Sequence, residues 1–402
     1  MQNIVLMVFL GIVMMFLLYG DMSSRNGLYI SQEKAAAIEY NQWPMWKSLE
    51  PPDNRIRMLW ILHDYVPFVN AGSEISAHAI NQYCMSKPYK YDVFVASRGF
   101  PQRTYDHVRC FDLYDTHTLW NVIQSSHILH SHTYLFRQQM LWISRATGKP
   151  FVEWVHTDNY VRSVGKQWND PRIHGRQWTV FNSKHLRKQR PEISDSHMKI
   201  VLPTVDFREY AVEDDKRKPH YVTLSNVNEN KGGNILIQLA KALPEMEFQG
   251  ILGGYRKQIV DTTLPNLKYV RHTTEIKNVY AQTWVQIMPS KEETWGRTAV
   301  EAMSSGIPLV VSPTPGLKEC CGDAALYCER EDLEGWVRTL RRLKADRELY
   351  NRRSRLSLER ARALDPNPSL EDLDKWLETT VAPSARNTNF QPTSLEKNLL
   401  FR

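Results

Sequence analysis

The chain has 402 residues, of which 42% are hydrophobic and 24% are charged. This composition is typical of a globular protein and excludes a disordered one, and the length suits two domains with additional segments. The net charge of +7 favours an anionic ligand, an anionic membrane surface or nucleic acid. Nucleic acid ranks last, because no zinc-ligand spacing or nucleic-acid-reading motif accompanies the charge.

An uncharged apolar run covers residues 4–19 near the start of the chain. It is at the short limit for crossing a bilayer, and residues 1–22 are predicted to form a retained N-terminal hydrophobic anchor. A cleaved signal peptide is the alternative, although no clear cleavage site follows the run. Arg25 and Lys34 come after the run and no basic residue precedes it, which predicts a cytoplasmic location for the remainder of the chain.

The cysteine pattern agrees with a cytoplasmic location. The number of cysteines is odd and their spacing suggests no disulfide framework, so a reducing compartment is expected. The five are Cys84, Cys110, Cys320, Cys321 and Cys328.

A polar segment, residues 23–54, is predicted to be a stem between the anchor and the folded part. Short apolar runs then alternate with helical stretches over residues 55–205, which predicts a doubly wound parallel sheet. The strands expected in this first domain are 56–62, 93–96, 128–130, 151–155 and 179–181. A helix is expected from about Glu74 to Ser86.

The same alternation resumes over residues 206–365, so a second α/β domain of the same class is predicted. Its expected strands are 221–224, 248–252, 267–270, 284–288 and 309–311, and its expected helices include 232–243, 333–343 and 347–363. Residues 366–381 are predicted to contain a last helix, and residues 382–402 a polar, loosely ordered tail.

The stretch MPSKEETWGRTAVEAMSSGIPLVVSPTPG, residues 288–316, carries the most informative pattern. Glu293 falls in the loop after a strand, and Glu301 falls in a helix that begins beside Gly296 and runs to Ser305. The carboxyl edge of parallel strands is where open α/β sheets bind ligands. Glu293 is therefore predicted to accept hydrogen bonds from a sugar and Glu301 from a ribose, while backbone N–H groups near Gly296 bind phosphate.

This stretch resembles the glutamate–seven residues–glutamate signature of family-four retaining glycosyltransferases, with PS before it, EAM, SG and P after it, and a second glycine loop ending in Glu319. The resemblance covers about residues 55–345. It implies the GT-B fold, in which two Rossmann-like domains face a cleft and the last helix returns to the first domain. It also implies transfer of a sugar, with retention, from a nucleotide diphosphate donor to an acceptor hydroxyl on a glycan, a glycolipid or a protein-linked sugar. Neither a metal nor another cofactor is expected, and no Asp-x-Asp occurs near the site.

Lys231 lies in SNVNENKGG, residues 225–233, just before a helix and a glycine pair. A lysine there is well placed to neutralise the donor diphosphate. The resembled family commonly has an arginine five positions earlier, where this chain has Asn226. Either Asn226 donates a weaker hydrogen bond, or Arg297 or another cation replaces the missing guanidinium.

Three further groups of residues match the resembled family. Gly72 and Ser73 lie in a glycine loop after the first strand that approaches the donor diphosphate and the acceptor. Gly253 and Gly254 resemble a pair that lines the nucleotide pocket, and Gly316 belongs to the second glycine loop.

His156 follows the strand FVEWV and matches a strand-end histidine of the family, so it is predicted to contact the donor sugar or to assist proton movement. His130 and His132 are the runners-up. The predicted catalytic residues are Glu293, His156 and Lys231. The predicted donor-binding residues are Gly72, Ser73, Asn226, Lys231, Gly296, Arg297, Thr298 and Glu301.

Two other functions remain open. A nucleotide-sugar epimerase can share the two-domain architecture, although it is not expected to carry the full glutamate signature. A sugar-binding protein without catalytic activity is the second alternative, because the family arginine is missing. The sequence leaves the acceptor undefined, since first-domain loops that vary in length and composition bind it.

Overall fold

The structure is a computed structural model that describes residues 55–69, 71–132, 136–158, 176–253 and 256–385. The predicted anchor and stem, Gly254 and most of the predicted tail lie outside these residues. Within the described ranges, none of the helices has both the length and the apolar character needed to cross a membrane.

The chain divides into two compact units. Within the described ranges, the first comprises the residues up to Phe181, Arg190–Val201 and those from Ser369 onward, and the second comprises Asn182–Gln189 and Leu202–Pro368. Residues 182–189, which the sequence placed in the first domain, thus group with the second unit.

The first unit is built on an eight-stranded sheet with the order β3-β4-β2-β1-β5-β6-β7-β8. Its strands are β1 (Ile56–Leu62), β2 (Tyr91–Ser97), β3 (Arg103–Tyr105), β4 (Val108–Asp112), β5 (Ile128–Ser131), β6 (Phe151–Val155), β7 (Gln177–Phe181) and β8 (Met198–Ile200). All neighbours pair in parallel except β3 and β4, which form an antiparallel hairpin at one edge. The sequence predicted β1, β2, β5, β6 and β7 but missed the hairpin and β8.

Helices cover both faces of this sheet, which explains why its strands are apolar along almost their whole length. The helices of the first unit are α1 (Gly72–Met85), α2 (Thr116–Ser125) and α3 (Arg137–Thr147). The predicted helix at Glu74 begins two residues earlier, so Gly72 and Ser73 lie in its first turn rather than in a loop before it.

The second unit contains a six-stranded, fully parallel sheet with the order β11-β10-β9-β12-β13-β14. Its strands are β9 (Tyr221–Ser225), β10 (Phe248–Ile251), β11 (Leu267–Val270), β12 (Thr283–Met288), β13 (Leu309–Val311) and β14 (Ala325–Tyr327). Its helices are α4 (Lys184–Lys188), α5 (Phe207–Tyr210), α6 (Gly233–Ala242), α7 (Ile276–Gln282), α8 (Arg297–Met303), α9 (Pro315–Cys321), α10 (Leu333–Ala345) and α11 (Arg347–Ala363). Five of the six strands were predicted from their apolar runs, and β14 was not.

The last helix, α12 (Asn367–Trp376), continues as a π-helical turn over Leu377–Val381. Its apolar side chains, including Leu373 and Trp376, are buried in the core of the first unit together with those of β1 and β2. Asp374 pairs with Lys87 and Lys90 at 2.7 Å each. The chain therefore returns to the unit in which its folded part begins.

Candidate functional site

The strand order of the second sheet reverses between β9 and β12. From β9 the chain builds β10 and β11 on one side, and then β12, β13 and β14 on the other. In an open α/β sheet, such a switch point is the usual ligand site, and it is bordered here by the loops that leave the carboxyl ends of β9 and β12. The first loop carries Lys231 and the second carries Glu293.

Lys231 and Glu293 form an ion pair, in which Nζ of the lysine donates to Oε1 of the glutamate. The two side chains are 21% and 13% exposed, so the pair is reachable but mostly shielded from water. Ser290 Oγ also donates to Glu293 Oε1 at 3.2 Å. The backbone N–H of Lys231 donates to the Asn228 side chain at 3.0 Å, which fixes the turn that presents the lysine.

Two glycines shape the loop that holds Glu293. Gly296 has φ +116°, a value that residues with side chains rarely adopt. Gly316, at the start of α9, packs against the backbone of this loop, and a Cβ there would lie 2.3 Å from the carbonyl oxygen of Glu293. The second glycine motif is thus explained by a close backbone contact that holds the acidic loop in place.

Glu301 lies in α8, which ends at Met303 and not at Ser305 as predicted. Its Oε1 pairs with Arg297 Nε at 2.9 Å, and its Oε2 accepts from the Tyr280 hydroxyl at 3.1 Å. Burial raises the pKa of Glu301, while the Arg297 charge opposes this effect. Both carboxylate oxygens are therefore already oriented, and the side chain is only 11% exposed.

Arg297 is engaged inside the second unit. Beyond Glu301, its guanidinium donates to the backbone oxygen of Thr204 and to the Tyr210 hydroxyl, the latter at 2.7 Å. The neighbouring Thr298 is the second residue of α8, and its hydroxyl lies 4.0 Å from Met288 Sδ. In this arrangement the Arg297 side chain positions Glu301.

Asn226 belongs to a polar cluster after β9. Its Oδ1 accepts from Asn228 at 2.9 Å and from Gln258 at 3.1 Å, and its backbone has φ +62°. Gln258 in turn accepts from the backbone N–H of Gly253 at 2.8 Å. Asn226 therefore binds neighbouring loops together, a role that the sequence pattern did not suggest.

Glu319 caps a helix rather than standing free. Its two carboxylate oxygens accept from the backbone N–H groups of Lys184 and His185 at 2.8 and 2.9 Å. These are the first residues of α4, so the carboxylate satisfies two N–H groups that a helix leaves unpaired. This contact attaches residues 182–189 to the second unit.

The first unit brings several predicted residues to one edge. His132 follows β5 and His156 follows β6, and their rings lie 5.5 Å apart, edge to face. His132 Nε2 is 3.9 Å from the carboxylate of Glu74 in the first turn of α1, where Ser73 Oγ donates to Glu74 at 2.7 Å. Burial lowers the pKa of His132 to about 3 and that of His156 to about 4, so both imidazoles are neutral at pH 7.

His130 has a different environment. Its ring stacks on Trp60 at 4.7 Å, and its Nδ1 accepts from Trp154 Nε1 at 3.1 Å. Because the ring is enclosed by aromatic side chains, His130 is part of the core. In the described part of the chain, no three His, Cys, Asp or Glu side chains form a group that could hold a metal ion.

Comparison with known proteins gives a family match within the second unit. Residues 208–357 match the family described as glycosyl transferases group 1. The family resemblance inferred from the sequence is thus confirmed for this segment, within whose bounds Lys231, Glu293 and Glu301 fall.

Curated relatives of this chain are named as a transferase or a synthase. The chain is 29% identical to the sulfoquinovosyl transferase of Arabidopsis thaliana over 140 residues, which are 33% of this chain and 28% of that protein. It is 28% identical to the mannosylfructose-phosphate synthase of Agrobacterium fabrum over 165 residues, 36% of each chain. The chain thus spans about a third of the length of these relatives, and the expected class, glycosyltransferase, is confirmed for the family.

Solved structures support the fold over a larger part of the chain. A glycosyltransferase from Rickettsia africae aligns with a TM-score of 0.67 at 14% identity, covering 81% of this chain and 98% of its own. Anabaena HepE in complex with UDP-glucose aligns with a TM-score of 0.65 at 15% identity, covering 81% and 100%. The two-domain, GT-B-like α/β fold with parallel sheets is therefore confirmed.

Proposed function

We propose that this protein is a retaining glycosyltransferase that moves a sugar from a nucleotide diphosphate donor to an acceptor hydroxyl. The observation that carries the proposal is the Lys231–Glu293 pair at the switch point of the second sheet. A cation for the diphosphate and a carboxylate for the sugar meet there within one crevice. The complex of HepE with UDP-glucose supports a nucleotide-sugar donor for this fold.

In the proposed reaction, the acceptor oxygen bonds to the anomeric carbon while the bond from that carbon to the diphosphate breaks. The electron pair of the broken bond leaves with the diphosphate, and the hydroxyl proton is transferred to the departing phosphate oxygen. Lys231 stabilises the charge that develops on the diphosphate, which is electrostatic catalysis. Glu293 holds the sugar by its hydroxyl groups, and attack on the face of departure retains the anomeric configuration.

Glu301 is assigned to the ribose of the donor. Its carboxylate is oriented by Arg297 and Tyr280, and an oriented carboxylate loses little freedom when it accepts two hydroxyl hydrogen bonds. The backbone N–H groups of Gly296 and Thr298 approach the phosphate of the donor in this proposal. On the first unit, Gly72, Ser73 and His156 are proposed to contact the substrates.

The test is release of nucleoside diphosphate by the purified full chain from UDP-glucose, UDP-galactose, UDP-N-acetylglucosamine and GDP-mannose. Each donor is incubated with and without a mixture of methyl glycosides, and the products are analysed by mass spectrometry. Transfer products with retained configuration support the proposal. Saturable donor binding without nucleotide release contradicts the proposal and favours a sugar-binding protein. Conversion of the donor sugar in the absence of an acceptor also contradicts it and favours an epimerase.

We further propose that the apolar N-terminal segment within residues 1–22 anchors the protein in a membrane and that residues 21–402 are cytoplasmic, where nucleotide sugars are available. The apolar run 4–19 and the basic residues that follow it support this orientation. Deleting residues 1–22 should release the protein from membranes. Protease protection of residues 382–402 in sealed vesicles, or glycans on a sequon engineered there, would reverse the orientation.

A further inference from the structure

The loops that hold the two charged groups of the candidate site are in direct contact with each other. The lysine loop, residues 226–232, follows β9, and the glutamate loop, residues 289–296, follows β12. The backbone N–H of Lys291 donates to the carbonyl oxygen of Asn230 at 2.8 Å. A change in the separation of these loops would therefore move the lysine and the carboxylate of the candidate site relative to each other.

Arg330, in the turn between β14 and α10, forms a bridge between the two loops. Its Nε donates to the carbonyl oxygen of Pro289 at 3.0 Å, and its Nη2 donates to the carbonyl oxygen of Glu229 at 3.0 Å. The first acceptor belongs to the glutamate loop and the second to the lysine loop. Hydrogen bonds from a guanidinium are roughly twice as strong as those between neutral groups, so the bridge restrains both loops.

The two loops also pack closely beside this bridge. Gly232 has φ +93°, and a Cβ there would lie 2.4 Å from Cγ of Pro289 and 2.8 Å from its carbonyl oxygen. The lysine loop therefore has no room to move closer to the glutamate loop at this point. Because Arg330 holds a carbonyl oxygen of each loop, it opposes movement in the other direction. The close packing and the bridge together define one separation of the loops.

The turn that carries Arg330 is itself held by the core of the second unit. The carbonyl oxygen of Glu329 accepts from the indole Nε1 of Trp336 at 3.0 Å and from the backbone N–H of Asp332 at 3.0 Å. Trp336 is fully buried, and Asp332 caps α10 by accepting from the backbone N–H of Gly335 at 2.9 Å. The Arg330 side chain is 19% exposed, so water competes little for its hydrogen bonds.

We propose that Arg330 is a positioning residue for the transfer reaction, which holds Lys231 and Glu293 at the separation that the donor requires. The proposal rests on the glycosyltransferase function proposed above. Arg330 acts through the backbone of the two loops, since its bridging hydrogen bonds end on carbonyl oxygens. Accurate placement is essential, because moving a catalytic group by about 1 Å can lower a rate about a hundredfold.

The kinetic test compares Arg330→Met and Arg330→Lys with a matched control, Arg338→Gln. Methionine removes both bridging hydrogen bonds, whereas lysine keeps the charge without the planar fork that reaches two acceptors. Arg338 is an arginine of α10 that is 68% exposed and pairs with Asp332 and Glu334 instead of the loops.

We expect Arg330→Met to lower kcat at least about tenfold and to leave the KM for the donor within about threefold, because the loss acts on placement in the transition state. Arg330→Lys should have an intermediate kcat, and the control should have the kcat and KM of the wild type. An unchanged kcat in Arg330→Met, or an equal loss in the control, would overturn the proposal.

A second measurement does not depend on turnover. Hydrogen exchange of the full chain in detergent follows the backbone N–H of Lys291, which links the two loops, by mass spectrometry of peptides that contain this residue. Exchange should be at least about tenfold faster in Arg330→Met than in the wild type and unchanged in Arg338→Gln. Unchanged exchange in Arg330→Met would overturn the proposal. Faster exchange in a protein that releases no nucleotide from any donor would retain the bridge and refute only the glycosyltransferase function.

Discussion

Lys231 and Glu293 are bound to each other, although the sequence assigned them to different parts of the donor. The two residues are 62 positions apart in the chain, and their pairing joins the loops after the adjacent strands β9 and β12. In the proposed function, a donor diphosphate must compete with Glu293 for the lysine, and the sugar hydroxyls must compete with Lys231 for the carboxylate. The pair keeps a mostly buried cation and anion satisfied, and in the proposed function a bound donor replaces both contacts.

Replacing Lys231 should reduce turnover more than donor binding. The negative charge that the lysine meets increases as the anomeric bond breaks, so its loss acts mainly on the transition state. We expect Lys231→Ala to lower kcat at least a hundredfold. Lys231→Arg should restore only part of the wild-type kcat, because the lysine and arginine side chains differ in shape and reach. Steady-state kinetics with the donor varied is the measurement. Full turnover in both variants would remove Lys231 from the diphosphate site.

Glu301→Gln should weaken donor binding, because an amide replaces the carboxylate that is assigned to the ribose. Hydrogen bonds to a charged group contribute on the order of 1.5–3 kcal/mol each, so a loss of tens-fold in affinity is expected. Calorimetry with UDP and GDP measures it.

The control for this variant is Tyr280→Phe, which keeps the carboxylate and removes only the 3.1 Å hydrogen bond to it. It should weaken nucleotide binding by a few-fold at most. Equal affinity of Glu301→Gln and wild type would show that the carboxylate serves only its contacts with Arg297 and Tyr280 and has no role in donor binding.

The three histidines at the ends of β5 and β6 predict loss of stability in acid. Burial lowers the pKa of His130 and His132 to about 3 and that of His156 to about 4. In the unfolded chain these groups titrate near pH 6.5, so between about pH 6.5 and pH 4 the unfolded state binds more protons. The stability that neutral histidines contribute is present above pH 6.5 and is lost as the pH falls, by about 1.4 kcal/mol per pH unit for each histidine.

Urea unfolding at pH 7, 6 and 5 measures this dependence, and His130→Gln provides the comparison. We expect the variant to be less stable than the wild type at every pH. Its free energy of unfolding should, however, fall less steeply with decreasing pH, by the contribution of one histidine, about 1.4 kcal/mol per pH unit. Parallel pH dependences of variant and wild type would mean that His130 is protonated in the folded protein.

Asp374→Asn should loosen the last helix, α12, from the first unit. The carboxylate pairs with Lys87 and Lys90 and accepts from the Tyr91 hydroxyl. These contacts lower the pKa of Asp374 even though burial raises it. We expect a loss of about 2 kcal/mol in the free energy of opening this helix, measured by hydrogen exchange of its backbone amides.

Asp372→Asn is the matched control, since Asp372 lies in the same helix but is 61% exposed and pairs only with Lys199 among the described residues. An exposed pair contributes little, so its loss should change helix opening by less than about 1 kcal/mol. If both variants behaved alike, α12 would be held by its apolar face alone.

The sequence by itself determined where most of the strands lie. Strands β1, β6, β11 and β13 were predicted with their observed bounds, because strands of a parallel sheet with helices on both faces are continuous apolar runs. The short strands β3, β4, β8 and β14 were missed. Segments such as RTY and MKI are too short and too polar for hydrophobic periodicity, and only their pairing with a neighbour makes them strands.

In the candidate site, too, the sequence predicted some features and the tertiary structure decided the others. Glu293, Glu301 and Lys231 could be found from the sequence, because each lies in a local motif whose spacing reflects a strand, a loop and a helix. Their partners could not, since Lys231 and Glu293 meet only through the strand order β9-β12, and Glu301 meets Tyr280 through the packing of α7 on α8. The proximity of Glu74 and His132 likewise depends on the pairing of β5 with β1. A local pattern specifies which groups are available, and the order of strands, set by burial of the whole sheet, decides which of them touch.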